Sequence, residues 1–155
     1  MRHPAPARAI IRPVKTDYRF HHKIRVRFAD TDMQGIVFNG NYLTYYDVAW
    51  TEYFRAAGLE YKDFEKFGAD TVLARTEMDF KSPARFDEVL EVYARVSAIG
   101  NKSLTFNFEI YPEGGERLVG AALSIYVCIS PQTLRPIRVP DALRKLLSEF
   151  EGREL

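Results

Sequence analysis

The stretch FADTDMQGIVFNGNYLTYYDVAWTEYFRAAG, Phe28 to Gly58, changes its period halfway along, and that change decides the fold. Its first half sets two carboxylates, Asp30 and Asp32, two residues apart, then Gly35, then Asn39 and Asn41 on either side of Gly40. In its second half Tyr42, Tyr46, Ala49, Trp50, Tyr53, Phe54 and Ala57 recur at three and four, while Asp47, Glu52 and Arg55 fall elsewhere. That spacing predicts one long helix from Tyr42 to Ala57 with a wide aromatic face, stopped at Gly58. Just upstream, Ile24, Val26 and Phe28 alternate with Lys23, Arg25 and Arg27, which predicts a half-buried strand. Asp30 to Phe38 is then an irregular connection between a strand and a helix N-terminus.

Downstream, the period stays at two. Thr71 to Lys81 reads as a strand with Val72, Ala74, Met78 and Phe80 on one face, closed by Ser82-Pro83. Val89 to Ile99 groups Leu90, Val92, Ala94, Val96 and Ala98; Gly100-Asn101 turns the chain, and Leu104, Phe106, Phe108 and Ile110 continue the alternation. After the turn at Pro112 to Gly115, Val119, Ala121, Leu123, Ile125, Val127 and Ile129 form a last strand with Tyr126 on its outer face, and Asp141 to Phe150 a short helix with Leu143, Leu146 and Leu147 on one side. One helix and about five antiparallel strands make an α+β layer structure, a curved sheet wrapped around the aromatic helix. A single helix leaves part of such a sheet uncovered, so a homodimer is expected to complete it.

At 155 residues the chain has room for one substantial core. A net charge of +1 gives no global field toward nucleic acid or an anionic membrane, and no segment is apolar enough to insert into a bilayer. The lone Cys128 excludes an intrachain disulfide framework and a cysteine metal cluster, in keeping with a cytoplasmic protein. Residues 1–20 carry Arg2, Arg8, Arg12 and Lys15 among several prolines, and read as a flexible or extended arm before a single domain at 21–155.

The connection at Asp30 to Phe38 has a chemistry. The first N–H groups of a helix have no internal partners and sit at its positive end, where they can stabilise a carbonyl oxygen that becomes negative during acyl transfer. A carboxylate on the same loop can attack that carbonyl or activate a water. The same residues also serve as helix caps and turn formers, which is the competing reading. An aspartate pair supplies too few oxygens for a divalent cation, so no metal is assigned.

The run Asp30-Thr31-Asp32-Met33-Gln34-Gly35-Ile36-Val37-Phe38-Asn39-Gly40-Asn41-Tyr42, followed by the aromatic helix, resembles the signature of hotdog-fold acyl-CoA thioesterases, nearest to the 4-hydroxybenzoyl-CoA thioesterase-like branch. The similarity runs from about His22 to Val139. It implies that Asp32 is the catalytic nucleophile or general base, that a backbone N–H near Asn39 holds the thioester oxygen, and that Asp30 shapes the loop. It further implies substrate or coenzyme contacts at Gly35, Tyr42, Lys102, Ser103 and Arg135, and an acyl group near Asp47 and Thr71. Some branches carry the carboxylate within the helix, which keeps Asp47 and Glu52 as lesser candidates.

The expectation is therefore hydrolysis of a small aliphatic or hydroxybenzoyl-type acyl-CoA by a homodimer or a dimer of dimers, without metal or cofactor beyond the coenzyme A of the substrate. The alternatives are action on an acyl-carrier-protein thioester and non-catalytic acyl-CoA binding. A hotdog dehydratase needs a histidine paired with an acid, but His3, His21 and His22 all precede the loop.

Overall fold

The structure, a computed structural model, describes residues 14–155. Five antiparallel strands, β1 (Phe20–Arg25), β2 (Asp70–Phe80), β3 (Val89–Ile99), β4 (Ser103–Pro112) and β5 (Gly120–Ile129), lie in the spatial order β1-β3-β4-β5-β2. The long helix α1 (Asn41–Ala56) packs on the inner face of this sheet, and α2 (Asp141–Glu151) follows the last strand. The architecture is the hotdog arrangement expected from the sequence.

The aromatic period of α1 explains the packing. Tyr46 rests on Phe108, Tyr53 meets Phe106 edge-on, and Trp50 stacks on Tyr126, so one helical stripe contacts both β4 and β5. Leu90, Val92, Ala94 and Val96 of β3 and Leu104, Phe106, Phe108 and Ile110 of β4 supply the facing wall, all buried. A polar bond closes the far corner. Glu151 of α2 is buried and its Oε1 accepts the Tyr53 hydroxyl at 2.6 Å and the Val96 N–H at 2.9 Å. Burial first, and then the Glu151 carboxylate, push the Tyr53 hydroxyl far above its ordinary pKa, so it remains a donor.

Several expectations are corrected. In β5 the core-facing residues are Ala122, Ser124, Tyr126 and Cys128, while Leu123, Ile125 and Val127 are half-buried on the outer face. The strand is apolar on both sides, so alternation alone could not say which faced α1. Register shifts at Leu73/Arg75 in β2 and at Val96/Ala98 in β3 break the single face expected of each strand, leaving Val72 and Ala98 exposed. Strand β1 ends before Phe28, which sits in a 3-10 turn with its ring in solvent.

The N-terminal arm expected over residues 1–20 lies mostly outside the described residues. From Val14 on, the chain crosses the outer sheet face, where Lys15 Nζ stands 4.9 Å above the Tyr111 ring and donates to the Gly115 carbonyl at 3.0 Å. At the other side of the sheet, the eleven residues of β2 form an edge with no strand beyond them among the described residues. Among the described residues no helix is long and apolar enough to cross a membrane.

Removing the Tyr53 hydroxyl leaves the buried Glu151 oxygen with one donor fewer. Tyr53→Phe is expected to cost about 1–3 kcal/mol, read as a lower urea midpoint with an unchanged slope; an unchanged midpoint would show that the bond carries no stability.

Candidate active site

The loop between β1 and α1 is built around Asp30. Its side chain is buried and takes the Arg27 guanidinium at 2.8 Å, the Arg27 N–H at 2.9 Å and the Tyr45 hydroxyl at 2.8 Å. Its own carbonyl accepts the Phe38 N–H at 2.9 Å and the Asn41 side-chain amide at 2.8 Å. Burial alone raises its pKa, but the Arg27 side chain, the Arg27 N–H and the Tyr45 hydroxyl outweigh it and hold the group below the usual carboxylate range. Asp30 thus fastens the end of the strand, the end of the loop and the first turns of the helix to one point.

Beyond Asp30 the loop forms a small hairpin. Thr31 bridges Val37 antiparallel, Asp32 donates its N–H to the Ile36 carbonyl at 3.0 Å, and the Gly35 N–H returns to the Asp32 carbonyl at 2.9 Å. Gly35 turns the chain at φ +72, where a side chain would be strained. Asp32 Oδ1 accepts the Gln34 N–H at 2.8 Å, while Oδ2 has no partner among the described residues. One oxygen therefore orients the carboxylate and the other is available.

Asp32 lines a cavity of about 750 Å³ together with Gln34, Asn39, Tyr42, Phe80, Lys81 and Arg85. The Asn39 side chain accepts the Gly40 N–H at 3.0 Å, yet the Asn39 N–H itself meets no protein acceptor among the described residues. That free donor sits just ahead of α1, and Asn39 and Asp32 both line this cavity. Tyr42 is buried and stands edge-on to Phe80, which makes it part of the floor. Phe80, Lys81, Ser82 and Arg85 were not among the expected residues. They lie some forty positions after the loop, and long-range contacts such as the Val37 N–H bonding to the Ala84 carbonyl at 2.8 Å and Tyr42 meeting Phe80 bring that segment alongside.

The other expected residues gather elsewhere. Thr71 pairs with Cys128, Ser103 pairs with Val127, the Lys102 carbonyl accepts the Cys128 N–H at 2.8 Å, and the Arg135 carbonyl accepts the Ser130 N–H at 2.9 Å. All four thus mark the end of the sheet away from Phe80 and Gly120. Along β4 the run from Ser103 to Ile110 separates that end from the Asp32 end by about 23 Å. Asp47 is exposed on α1 and not on the wall of the Asp32 cavity; its charge adds to burial in raising the Tyr126 hydroxyl. Glu52 is taken up by Arg55. Trp50 Nε1 and Thr71 Oγ1 are buried without a hydrogen-bond partner among the described residues.

A long helix wrapped by a five-stranded antiparallel sheet, with a cavity at the helix entrance lined by Asp32 and Asn39, is the arrangement of the hotdog thioester hydrolases. Residues 34–119, more than half of the chain, match the model of the Thioesterase superfamily, and the chain belongs to that family. It is 26% identical over 132 residues to the acyl-CoA thioester hydrolase YbgC of Escherichia coli O6:H1, covering 85% of this chain and 96% of that one. The crystal structure of the DHNA-CoA thioesterase from Staphylococcus aureus superposes with a TM-score of 0.75 at 28% identity, covering 85% of this chain and 90% of the other. A thioesterase from Thermus thermophilus, complexed with coenzyme A and Zn, superposes with a TM-score of 0.77 at 27% identity, over 90% of this chain and 98% of the other.

Because Asp30 has a lowered pKa in the folded chain, its contribution to stability is full above the ordinary carboxylate value, about 3.9, and is lost as the pH falls through its depressed value. Asp30→Asn is therefore expected to lower the urea midpoint at pH 6, and the gap to the native chain should narrow as the pH is taken below about 4. A gap independent of pH would place the effect in shape and not in charge.

Proposed function

We propose that this chain hydrolyses a small acyl-CoA thioester with Asp32 as the catalytic carboxylate. The observation that carries this reading is that Asp32, with one free carboxylate oxygen, and Asn39, with a free N–H, both lacking protein partners among the described residues, line one cavity. A thioester carbonyl lying between them would have its oxygen toward the Asn39 N–H, reinforced by the positive end of α1, and its carbon toward Asp32. Attack by Asp32, or by a water that Asp32 deprotonates, forms the C–O bond and puts the charge on the carbonyl oxygen. Collapse breaks the C–S bond, the coenzyme thiolate leaves and takes a proton, and water hydrolyses the mixed anhydride where Asp32 itself has attacked. The reaction draws on protein groups and water, with no metal or added cofactor.

The run of about 23 Å along β4, some seven residues of strand, that separates the Lys102, Ser103 and Arg135 end of the sheet from the Phe80 end bears on oligomeric state. We place the missing half of each site on a second copy: the open β2 edges pair antiparallel about a two-fold axis, which sets the Asp70 end of one chain beside the Phe80 end of the other. Lys102, Ser103 and Arg135 of the partner then take the coenzyme phosphates. The half-exposed Leu123, Ile125 and Val127 offer a surface for a dimer of dimers. The acyl group is small, aliphatic or hydroxybenzoyl-like, with Asp47 and the unpartnered Thr71 hydroxyl as candidates for a polar substituent. The free, buried thiol of Cys128 accords with the cytoplasm.

Release of free thiol from aromatic and aliphatic acyl-CoA thioesters tests the assignment. Asp32→Asn is expected to lower turnover by roughly 100-fold or more while coenzyme A binding and the urea midpoint stay near the native values. Native-like turnover in Asp32→Asn would remove Asp32 from the chemistry.

A further inference from the structure

The segment from Lys81 to Glu88 is held at nearly every residue. The N–H groups of Lys81 and Ser82 both bond to the Val119 carbonyl, at 2.9 and 3.1 Å, and Ser82 Oγ donates to the Leu118 carbonyl at 2.8 Å. Ala84 is tied to Val37, the Arg85 N–H bonds to the Glu88 carboxylate, and Arg117 spans Ser82, Pro83 and Glu88. Asp87 closes the segment through its N–H to the Val26 carbonyl at 3.0 Å.

Against this fixed backbone one side chain stands free. Most arginines of the described residues are engaged: Arg27 by Asp30, Arg117 by Glu88, Arg25 by Asp87, and Arg144 and Arg153 by carbonyls. The Arg85 guanidinium makes no hydrogen bond or ion pair with any described residue, and it lines the cavity of Asp32. Its neighbour Lys81 is only loosely paired, 4.0 Å from Asp79. The charged side chains on the cavity wall are Asp32, Lys81 and Arg85, so the cavity is net cationic although it contains a carboxylate. Arg85 is exposed to solvent, on a segment whose backbone is fixed beside the cavity. A guanidinium poised there presents a planar fork that fits a carboxylate or phosphate through two parallel bonds.

We infer that Arg85 is a specificity-determining residue, which takes an oxyanion group of the thioester substrate into the Asp32 cavity. The inference rests on the hydrolase reading above and adds the chemistry of what the cavity selects. Two parts of such a substrate carry an oxyanion: an acyl chain that ends in its own carboxylate, and the phosphates of the coenzyme.

Non-hydrolysable thioethers separate these sources. Binding of S-butyl-CoA and S-(3-carboxypropyl)-CoA, and of the same two S-substituents on pantetheine, is measured by calorimetry for the native chain, Arg85→Gln and Arg85→Lys. Arg85→Gln is expected to weaken binding roughly tenfold or more, with partial recovery in Arg85→Lys. Loss confined to the carboxypropyl ligands, on coenzyme A and pantetheine alike, assigns the acyl carboxylate. Equal loss for both coenzyme A ligands and none for the pantetheine ligands assigns a phosphate. Native affinity of Arg85→Gln for all four overturns the inference. Thiol release from aliphatic, aromatic and carboxylate-ended acyl-CoA thioesters by the native chain is scored separately: its absence across the panel, with Arg85-dependent binding intact, would contradict the hydrolase reading and leave the anion site standing.

Discussion

One buried carboxylate organises the functional end of this protein. Asp30 gathers three donors on its side chain and two on its carbonyl, and those donors come from the end of the strand, the close of the loop and the first turns of α1. A buried charge without such partners would be strongly destabilising, so the loop has one conformation that satisfies it. That conformation projects Asp32 two residues later into the cavity and leaves the Asn39 N–H without an acceptor among the described residues. The two aspartates divide the work: the first is consumed by structure so that the second can be left with a free oxygen.

The sequence carried the helix and the candidate loop because both are local. The three-and-four recurrence of aromatics from Tyr42 has one structural reading, and Asp32, Gly35, Asn39 and Tyr42 fall within fifteen residues of one another. Long-range pairings were harder to read. Nothing in Lys81-Ser82-Pro83-Ala84-Arg85 announces that it lies against Val37, because that contact is a backbone bond between residues nearly fifty apart. The faces of β5 were misassigned because Leu123, Ile125 and Val127 are more apolar than Ala122, Ser124 and Cys128, yet the smaller set faces α1.

The resemblance grouped Asp32 with Lys102, Ser103 and Arg135, and the fold sets them at opposite ends of one sheet. A strand pair carries its side chains no further than its length, so one chain cannot fold these groups together. The open edge of β2 runs between the two ends, and a two-fold axis across it exchanges them. In the proposed dimer, incomplete pairing of the sheet and incomplete assembly of the site have a common resolution, with the loop and Arg85 from one chain and the coenzyme anchor from the other.

The most direct test of that account is complementation between two inactive variants. Asp32→Asn and the double variant Lys102→Gln/Arg135→Gln are unfolded together, refolded as a mixture, and assayed for thiol release beside each variant refolded alone. Sites shared between chains predict that the mixture recovers activity neither parent has, since a mixed dimer contains one site with both an intact Asp32 and an intact coenzyme anchor. A mixture no more active than its parents, with mixed dimers shown to be present, would mean that each chain carries its own complete site and would contradict the account.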